Sequence, residues 1–322
     1  MEQDLSIFGK FYKVVLVEKR MPWRLQRILK RSYYIRHLTR YAFKAALKTR
    51  PIASNNQSAY EVSTLLDRGN INSYLLAIKS FVMHSPVPCK ISIVSDGSLG
   101  LPERDLLSRH IHGVNIHSPV EIPEDKDDDL SVAMRHARVA YPTIRKTYDI
   151  FHTMSSENII FLDSDYLFLK PMERSIFEVG EQARMIYNRD HDHSVCDPLF
   201  HLSDEFIRLK QIKVLKRITD LNCGFMVFSS GVFDMKRIME FIRYLYESSN
   251  FHTVMEQDAW NILASTIPVR AMPPTYLVGN KSGEFRQRLE SSDPVAIHYV
   301  SSIRYQSLHY LRNGLKVIRQ LS

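Results

Sequence analysis

Asp163 and Asp165 stand two residues apart, directly after the apolar run Ile159, Ile160, Phe161 and Leu162 in NIIFLDSDYLFLKP (158–171). Alternate residues of a strand share a face, so both carboxylates are expected on one side, with Ser164 turned away. Side by side, two carboxylates repel unless a cation lies between them or one stays protonated. A buried charge is costly unless it is paired or coordinates a metal. A divalent ion with oxygen ligands meets that demand. A pair of strand-end caps in a loop is the plainer alternative.

The elements that would position this pair follow a regular order. YEVSTLLD (60–67) reads as a strand, NSYLLAIKSFVMHS (72–85) as a helix, KISIVSD (90–96) as a strand and LPERDLLSRHI (101–111) as a helix. VAMRHARVAYPTIRKTYDIFHTM (132–154) has a helical pattern that Pro142 is expected to kink or split. After the aspartates come the strand GFMVFSS (224–230) and the helices DMKRIMEFIRYLYES (234–248) and EQDAWNILAST (256–266). Strands alternating with helices predict an α/β fold with a mostly parallel sheet covered on both faces. Ligands of such sheets collect at the carboxyl ends of the strands, where Asp163 and Asp165 fall.

With 322 residues, 44% of them hydrophobic, the chain can bury a full core. Its net charge of +8 is uneven: residues 1–50 hold 13 Lys/Arg against 3 Asp/Glu, and the remainder is nearly balanced. Within 1–50, Trp23, Leu25, Ile28, Leu29, Tyr33, Ile35, Leu38 and Phe43 lie among the cations at helical spacing. One or two amphipathic helices are expected, suited to an anionic membrane surface or to packing on the domain with a solvated basic face. Nucleic acid is disfavoured, since the rest of the chain adds no basic stripe. The polar break RPIASNNQS (50–58) divides a basic helical extension with its linker (1–58) from the main domain (59–322). EIPEDKDDDL (121–130) reads as a solvated acidic loop, with a calcium site as the alternative. Cys89, Cys196 and Cys223 form neither a CxxC site nor a disulfide framework. With no signal-like start and no run of roughly 20 apolar residues, the expectation is a cytoplasmic protein, peripheral on a membrane if the extension binds one.

Four stretches in order resemble the GT-A-fold nucleotide-sugar glycosyltransferases, and among them family 8, the retaining group that includes glycogenin and lipopolysaccharide galactosyl- and glucosyltransferases. They are the strand ending in Asp-x-Asp, LNCGFMVFS (221–229), EQDAWNIL (256–263) and IHYVSSIRY (297–305), and the likeness spans about residues 60–310. The resemblance implies a Rossmann-like sheet and a cation held by Asp163, Asp165 and His298. Mixed carboxylate and imidazole ligation favours Mn²⁺ over Ca²⁺, with Mg²⁺ as the other candidate. Ser301 stands where the family has Gly and Arg304 where it has Lys, both toward the donor diphosphate. An Arg can clamp a diphosphate bidentately.

The resemblance further places Asn222 and Gly224 against the donor sugar, and Gln257 and Asp258 beside the anomeric carbon, with Glu256 longer than the family's Asp. Asp190 in NRDHDHS (188–194) is the sugar-binding acid chosen over Asp192. Leu66, Asn70 and Tyr74 would hold base and ribose, and Asp96 would face the base, while Arg68 falls where the family often has an acid. The family's donor-contacting Arg aligns with Thr143, leaving Arg145 as the substitute.

These expectations describe a metal-dependent transfer of a hexose from a nucleotide sugar, UDP-linked, to an acceptor hydroxyl with retention. The acceptor would be a glycan, a glycolipid or a protein. Two alternatives belong to other classes. A haloacid-dehalogenase-type phosphohydrolase also follows an apolar strand with Asp-x-Asp, but its motif wants Thr or Val where Leu167 stands. A catalytically silent GT-A scaffold would instead serve as a membrane- or partner-binding protein.

Overall fold

The computed structural model describes residues 32–122, 129–190, 200–279 and 283–322. The chain enters through helix α1 (Ser32–Phe43) and a 3-10 turn (Lys44–Lys48) into β1 (Ile52–Ala53) and β2 (Tyr60–Leu66). Next come α2 (Ile71–His84), β3 (Lys90–Ser95), α3 (Leu101–His110), β4 (Ile111–His112) and β5 (Asn115–His117). The middle of the chain supplies α4 (Asp129–Ala140), α5 (Arg145–Thr153), β6 (Asn158–Leu162), β7 (Tyr166–Phe168) and β8 (Met185–Arg189). Then follow α6 (Phe200–Leu209), β9 (Leu221–Ser229), α7 (Met235–Glu247), α8 (Met255–Ser265) and β10 (Val269–Ala271). The last elements are β11 (Tyr276–Val278), α9 (Gly283–Ser291), β12 (Ala296–His298), a 3-10 turn (Ser301–Tyr305) and α10 (His309–Leu321).

The main sheet has the order β10-β8-β9-β6-β2-β3-β5. Every pair is parallel except those made by β9, which runs antiparallel to both β6 and β8. The sheet is therefore mostly parallel, as expected, with one reversed strand beside the aspartates. A smaller sheet, β11-β12-β7, pairs β12 antiparallel to β7 and sets His298 opposite Tyr166. β1 pairs parallel with β4.

Strand alternation divides the core. Ile160 and Leu162 of β6 and Phe225 and Val227 of β9 enter one cluster; Ile159, Phe161, Met226 and Phe228 enter the other. Each such side chain contributes roughly 1.5–3 kcal/mol by leaving water, which is why both strands read as unbroken apolar runs. Pro142 splits the predicted long helix: α4 stops at Ala140, Pro142–Ile144 forms a 3-10 turn, and α5 begins at Arg145.

α1 packs on α2, on α10 and on the 3-10 turn Ser301–Tyr305. It buries Ile35 and Phe43, and Phe43 lies so close to Gly314 of α10 that a Cβ there would sit 2.3 Å from the ring. Arg36, His37, Arg40, Lys44 and Lys48 stay exposed. The stretch 50–58 carries β1 and hydrogen-bonds onward through Ser54 N to His112 O. Buried Lys79 of α2 donates to the carbonyls of Thr49 and Arg50. Trp23, Leu25, Ile28 and Leu29, most of the acidic stretch 121–130, Asp192 and Cys196 lie outside the described residues.

Candidate active site

The apolar run of β6 ends at Leu162, paired with Phe225. Asp163 is still tied to the sheet through its amide, which donates to Gly224 O at 2.8 Å. Asp163, Ser164 and Asp165 then turn into β7 instead of continuing the strand. The expected shared strand face is thus replaced by a turn, and Ser164 reaches the same cavity as its neighbours. The two carboxylates nonetheless converge with His298: one ligand atom from each of the three lies within 4.8 Å of the others.

His298 arrives from β12, across the small sheet, with its ring stacked on Tyr166 at 4.9 Å. Its Nδ1 lies 2.8 Å from Asn222 Oδ1, which already accepts from Gly224 N–H at 3.0 Å. That oxygen is an acceptor, so Nδ1 carries a proton and Nε2 faces the carboxylates. Nε2 lies 3.1 Å from Asp165 Oδ1 and 3.5 Å from Asp163 Oδ2. Gly224 is required here by space: a Cβ would meet the His298 ring at 2.1 Å.

Cations ring the carboxylates. Lys146 Nζ, from α5, lies 2.7 Å from Asp163 Oδ1 and 3.7 Å from Glu256 Oε1 at the start of α8. Arg304 Nε lies 3.5 Å from Asp165 Oδ2, and its Nη1 donates to Asn70 Oδ1 at 3.4 Å. Burial alone would lower the His298 pKa, but Asp165 and Asp163 outweigh it and hold it raised to about 9. Burial would raise Asp163, yet Lys146 and then His298 bring it down to about 2. Lys146 is disfavoured by burial but held well above its ordinary value by Asp163 and Glu256. Glu256 is pushed up to about 7 by burial, against the pull of Lys146. The site as it stands is a compensated cluster in which imidazolium, ammonium and guanidinium occupy the carboxylates' neighbourhood.

These groups line one cavity of about 680 Å³ at the carboxyl ends of β2, β3 and β6. Of the residues singled out in the sequence, Asn70, Asp96, Asp163, Asp165, Asp190, Asn222, Gly224, Gln257, His298 and Arg304 reach it. Four do not. Leu66 is fully buried in the core, and by strand alternation Leu65 faces the cavity in its place. Tyr74 is fully buried inside α2. Arg145 donates to the backbone carbonyl of Asp96, bracing the loop after β3 from behind. Asp258 is fully buried, 3.3 Å from His252 Nε2, one residue past the two of α8 that do reach the cavity. Ser301 opens the 3-10 turn that delivers Arg304.

Sequence reasoning passed over Lys146 as a site residue. Its signal was its place on the helix preceding Asp-x-Asp, one residue beyond the Arg145 chosen there. Cys223 and Thr253 also line the cavity; they fall within or beside motifs already marked, but neither residue type announced a role.

No family model matches the chain, and no curated protein does. Solved structures do. A structure of the galactosyltransferase LgtC with donor and acceptor sugar analogs aligns over 81% of this chain and 96% of its own, with TM-score 0.53 and 13% identity. An active-site mutant of LgtC aligns over the same shares with TM-score 0.56 and 11% identity. The chain has the GT-A fold. Mouse xyloside xylosyltransferase 1 in its apo form is a more distant match, with TM-score 0.46 and 13% identity over 74% of this chain and 96% of that one. On this GT-A scaffold, which the sequence resemblance to family 8 anticipated, the cavity opens where open α/β sheets take their ligands.

The trio also fits a divalent ion. Two carboxylates and an imidazole supply mixed oxygen and nitrogen donors. Asn222 fixes the imidazole so that Nε2 is presented, and Gly224 leaves the room the ring needs.

Proposed function

We propose that the protein is a metal-dependent glycosyltransferase that moves a hexose from a UDP-linked sugar to an acceptor hydroxyl with retention. The observation that carries this reading is the convergence of Asp163, Asp165, His298 and Arg304 in one cavity of a GT-A fold. Asp163, Asp165 and His298 would hold Mn²⁺ or Mg²⁺, which when bound supplies Lewis-acid stabilisation to a leaving diphosphate. Arg304 binds the diphosphate from the other side of Asp165 and shares its developing charge. Lys146 keeps Asp163 ionised and adds a second positive group to the cavity. Asn222 orients His298, and Asn70 and Asp96 face the nucleoside end at the tips of β2 and β3. Asp190 meets the sugar.

Gln257 lines the cavity beside Glu256 and acts on the reacting face. Retention, taken from the resemblance, requires no strong general base. The likeness in fold to glycosyltransferases favours this reading over phosphate hydrolysis, and the retained trio Asp163, Asp165 and His298 favours it over a silent scaffold. The exposed cations of α1, together with the rest of residues 1–50, would hold the enzyme peripherally on an anionic cytoplasmic membrane face, near a glycolipid acceptor. A thermal-shift and turnover screen across nucleotide sugars with Mn²⁺ tests the proposal, with Asp165→Asn as control. A stabilising, hydrolysed donor whose effect vanishes in Asp165→Asn is expected. The reading is overturned by a wild type indifferent to every nucleotide sugar, or by inversion at the anomeric carbon in product NMR.

A further inference from the structure

Arg304 reaches the cavity on the short turn Ser301–Tyr305, where its contacts include Asp165 at 3.5 Å and Asn70 at 3.4 Å. A further contact is to an aromatic ring. The Arg304 Cζ lies 5.6 Å from the centroid of the Tyr305 ring, the next residue in the chain. The same ring receives a second guanidinium, from Arg36 of α1, with Cζ 5.8 Å from the centroid. α1 packs against this turn and is itself anchored by Ile35 and Phe43 in the core, with Phe43 edge-on to Tyr310 at 4.9 Å. α1 precedes the stretch of about residues 60–310 that resembles the glycosyltransferases.

We propose that α1 belongs to the donor site: it seats the Tyr305 ring, and the ring holds the Arg304 guanidinium ready for a diphosphate. The inference rests on the reading of Arg304 as the diphosphate contact. The negative face of an aromatic ring attracts a guanidinium, and a ring with two side-chain torsions is a stiffer support than another long chain. An arginine held in place before the ligand arrives loses less freedom when it binds. Tyr305 and Arg36 are thus positioning residues that act through Arg304. Arg36 is solvent-exposed, so its charge is screened and its main effect is to hold the ring.

Calorimetric titration of UDP and of UMP into the full chain with Mn²⁺ tests this, because Arg304 acts on the group that only UDP carries twice. Tyr305→Leu is expected to reduce the preference for UDP over UMP by about three- to tenfold, the range of a cation–π contact. Tyr305→Phe should restore the preference, and Arg36→Gln should reduce it about twofold. In an Arg304→Ala background neither change should reduce it further, as a double-mutant cycle requires of groups acting through that residue. A packing role alone would lower the melting temperature and weaken both nucleotides equally, and that result overturns the inference. So does a wild type that prefers UDP while Tyr305→Leu and Arg36→Gln keep its preference intact. If Tyr305→Leu fails to fold, Arg36→Gln on the exposed face decides. A wild type with no preference for UDP overturns the donor reading, and this inference falls with it.

Discussion

At the scale of single residues, the site separates groups that face the cavity from groups that support them, and adjacent positions of α8 fall on either side. Gln257 lines the cavity, and on the proposed reading, in which its amide acts mainly as charge develops, Gln257→Ala is expected to lower kcat about tenfold or more while moving KM little. A raised KM with unchanged kcat would reduce it to a binding contact. Asp258, buried behind it, is a different matter: burial pushes its pKa from 3.8 to about 7 against the pull of Arg217. The folded state then binds more protons than the unfolded one between those values. The stability this group contributes is fully present below about pH 4 and is lost as pH rises to 7. Asp258→Asn, which cannot ionise, should therefore match wild type near pH 4 and gain on it up to pH 7, by on the order of a few kcal/mol. Denaturant melts at pH 4, 5.5 and 7.5 measure this; a constant difference across that range would mean that the His252 contact decides the energetics of Asp258.

At the scale of elements, the reversed strand β9 is the main positioning device. It carries Asn222 and Gly224 under the ring that β12 brings from the small sheet. Gly224→Ala places a Cβ 2.1 Å from that ring, which is stacked on Tyr166 and cannot easily yield. The expected cost is about 1–3 kcal/mol of stability together with a loss of Mn²⁺ affinity of about 10–100-fold, as for other displaced ligand supports. Isothermal titration with Mn²⁺ measures the second effect, and unchanged affinity would show that the ring is not a ligand. The elements themselves were readable in the sequence because each follows a strong local pattern: doubly buried strands are unbroken apolar runs, and Pro142 marks its own break. The direction of β9 was not readable, since burial on both faces looks the same whichever way a strand runs. Leu66 was chosen where Leu65 faces the cavity because an alignment carries no parity, whereas a pleated strand does. Lys146 was passed over for a similar reason: a helix turns about 100° per residue, so one step changes what a side chain meets.

At the scale of the whole molecule, the charge asymmetry noted in the sequence becomes a surface. Arg36, Arg40, Lys44 and Lys48 are exposed on α1 and the turn after it, with Tyr34 and Tyr41, and Lys316 and Arg319 are exposed on the neighbouring α10. Each cation near an anionic bilayer contributes roughly 1 kcal/mol, screened by salt. Sedimentation with phosphatidylserine vesicles should carry the wild type down at low salt and release it at high salt. The triple variant Arg40→Glu, Lys44→Glu, Lys48→Glu should stay in the supernatant with its fold intact. Deleting residues 1–50 would be a poorer test, because it uncovers the core around Ile35 and Phe43. A wild type that never sediments would leave this face to another partner. The contact of Phe43 with Gly314 and Tyr310 has one more consequence. It joins segments far apart in sequence, the kind of long-range closure that forms late and slowly. During synthesis on the ribosome, α1 emerges before α10 and can pack only on α2 until α10 has been made, so part of its apolar stripe stays uncovered. A chaperone that shields such stripes would find its binding site on that part of α1, and would lose it once α10 has docked there.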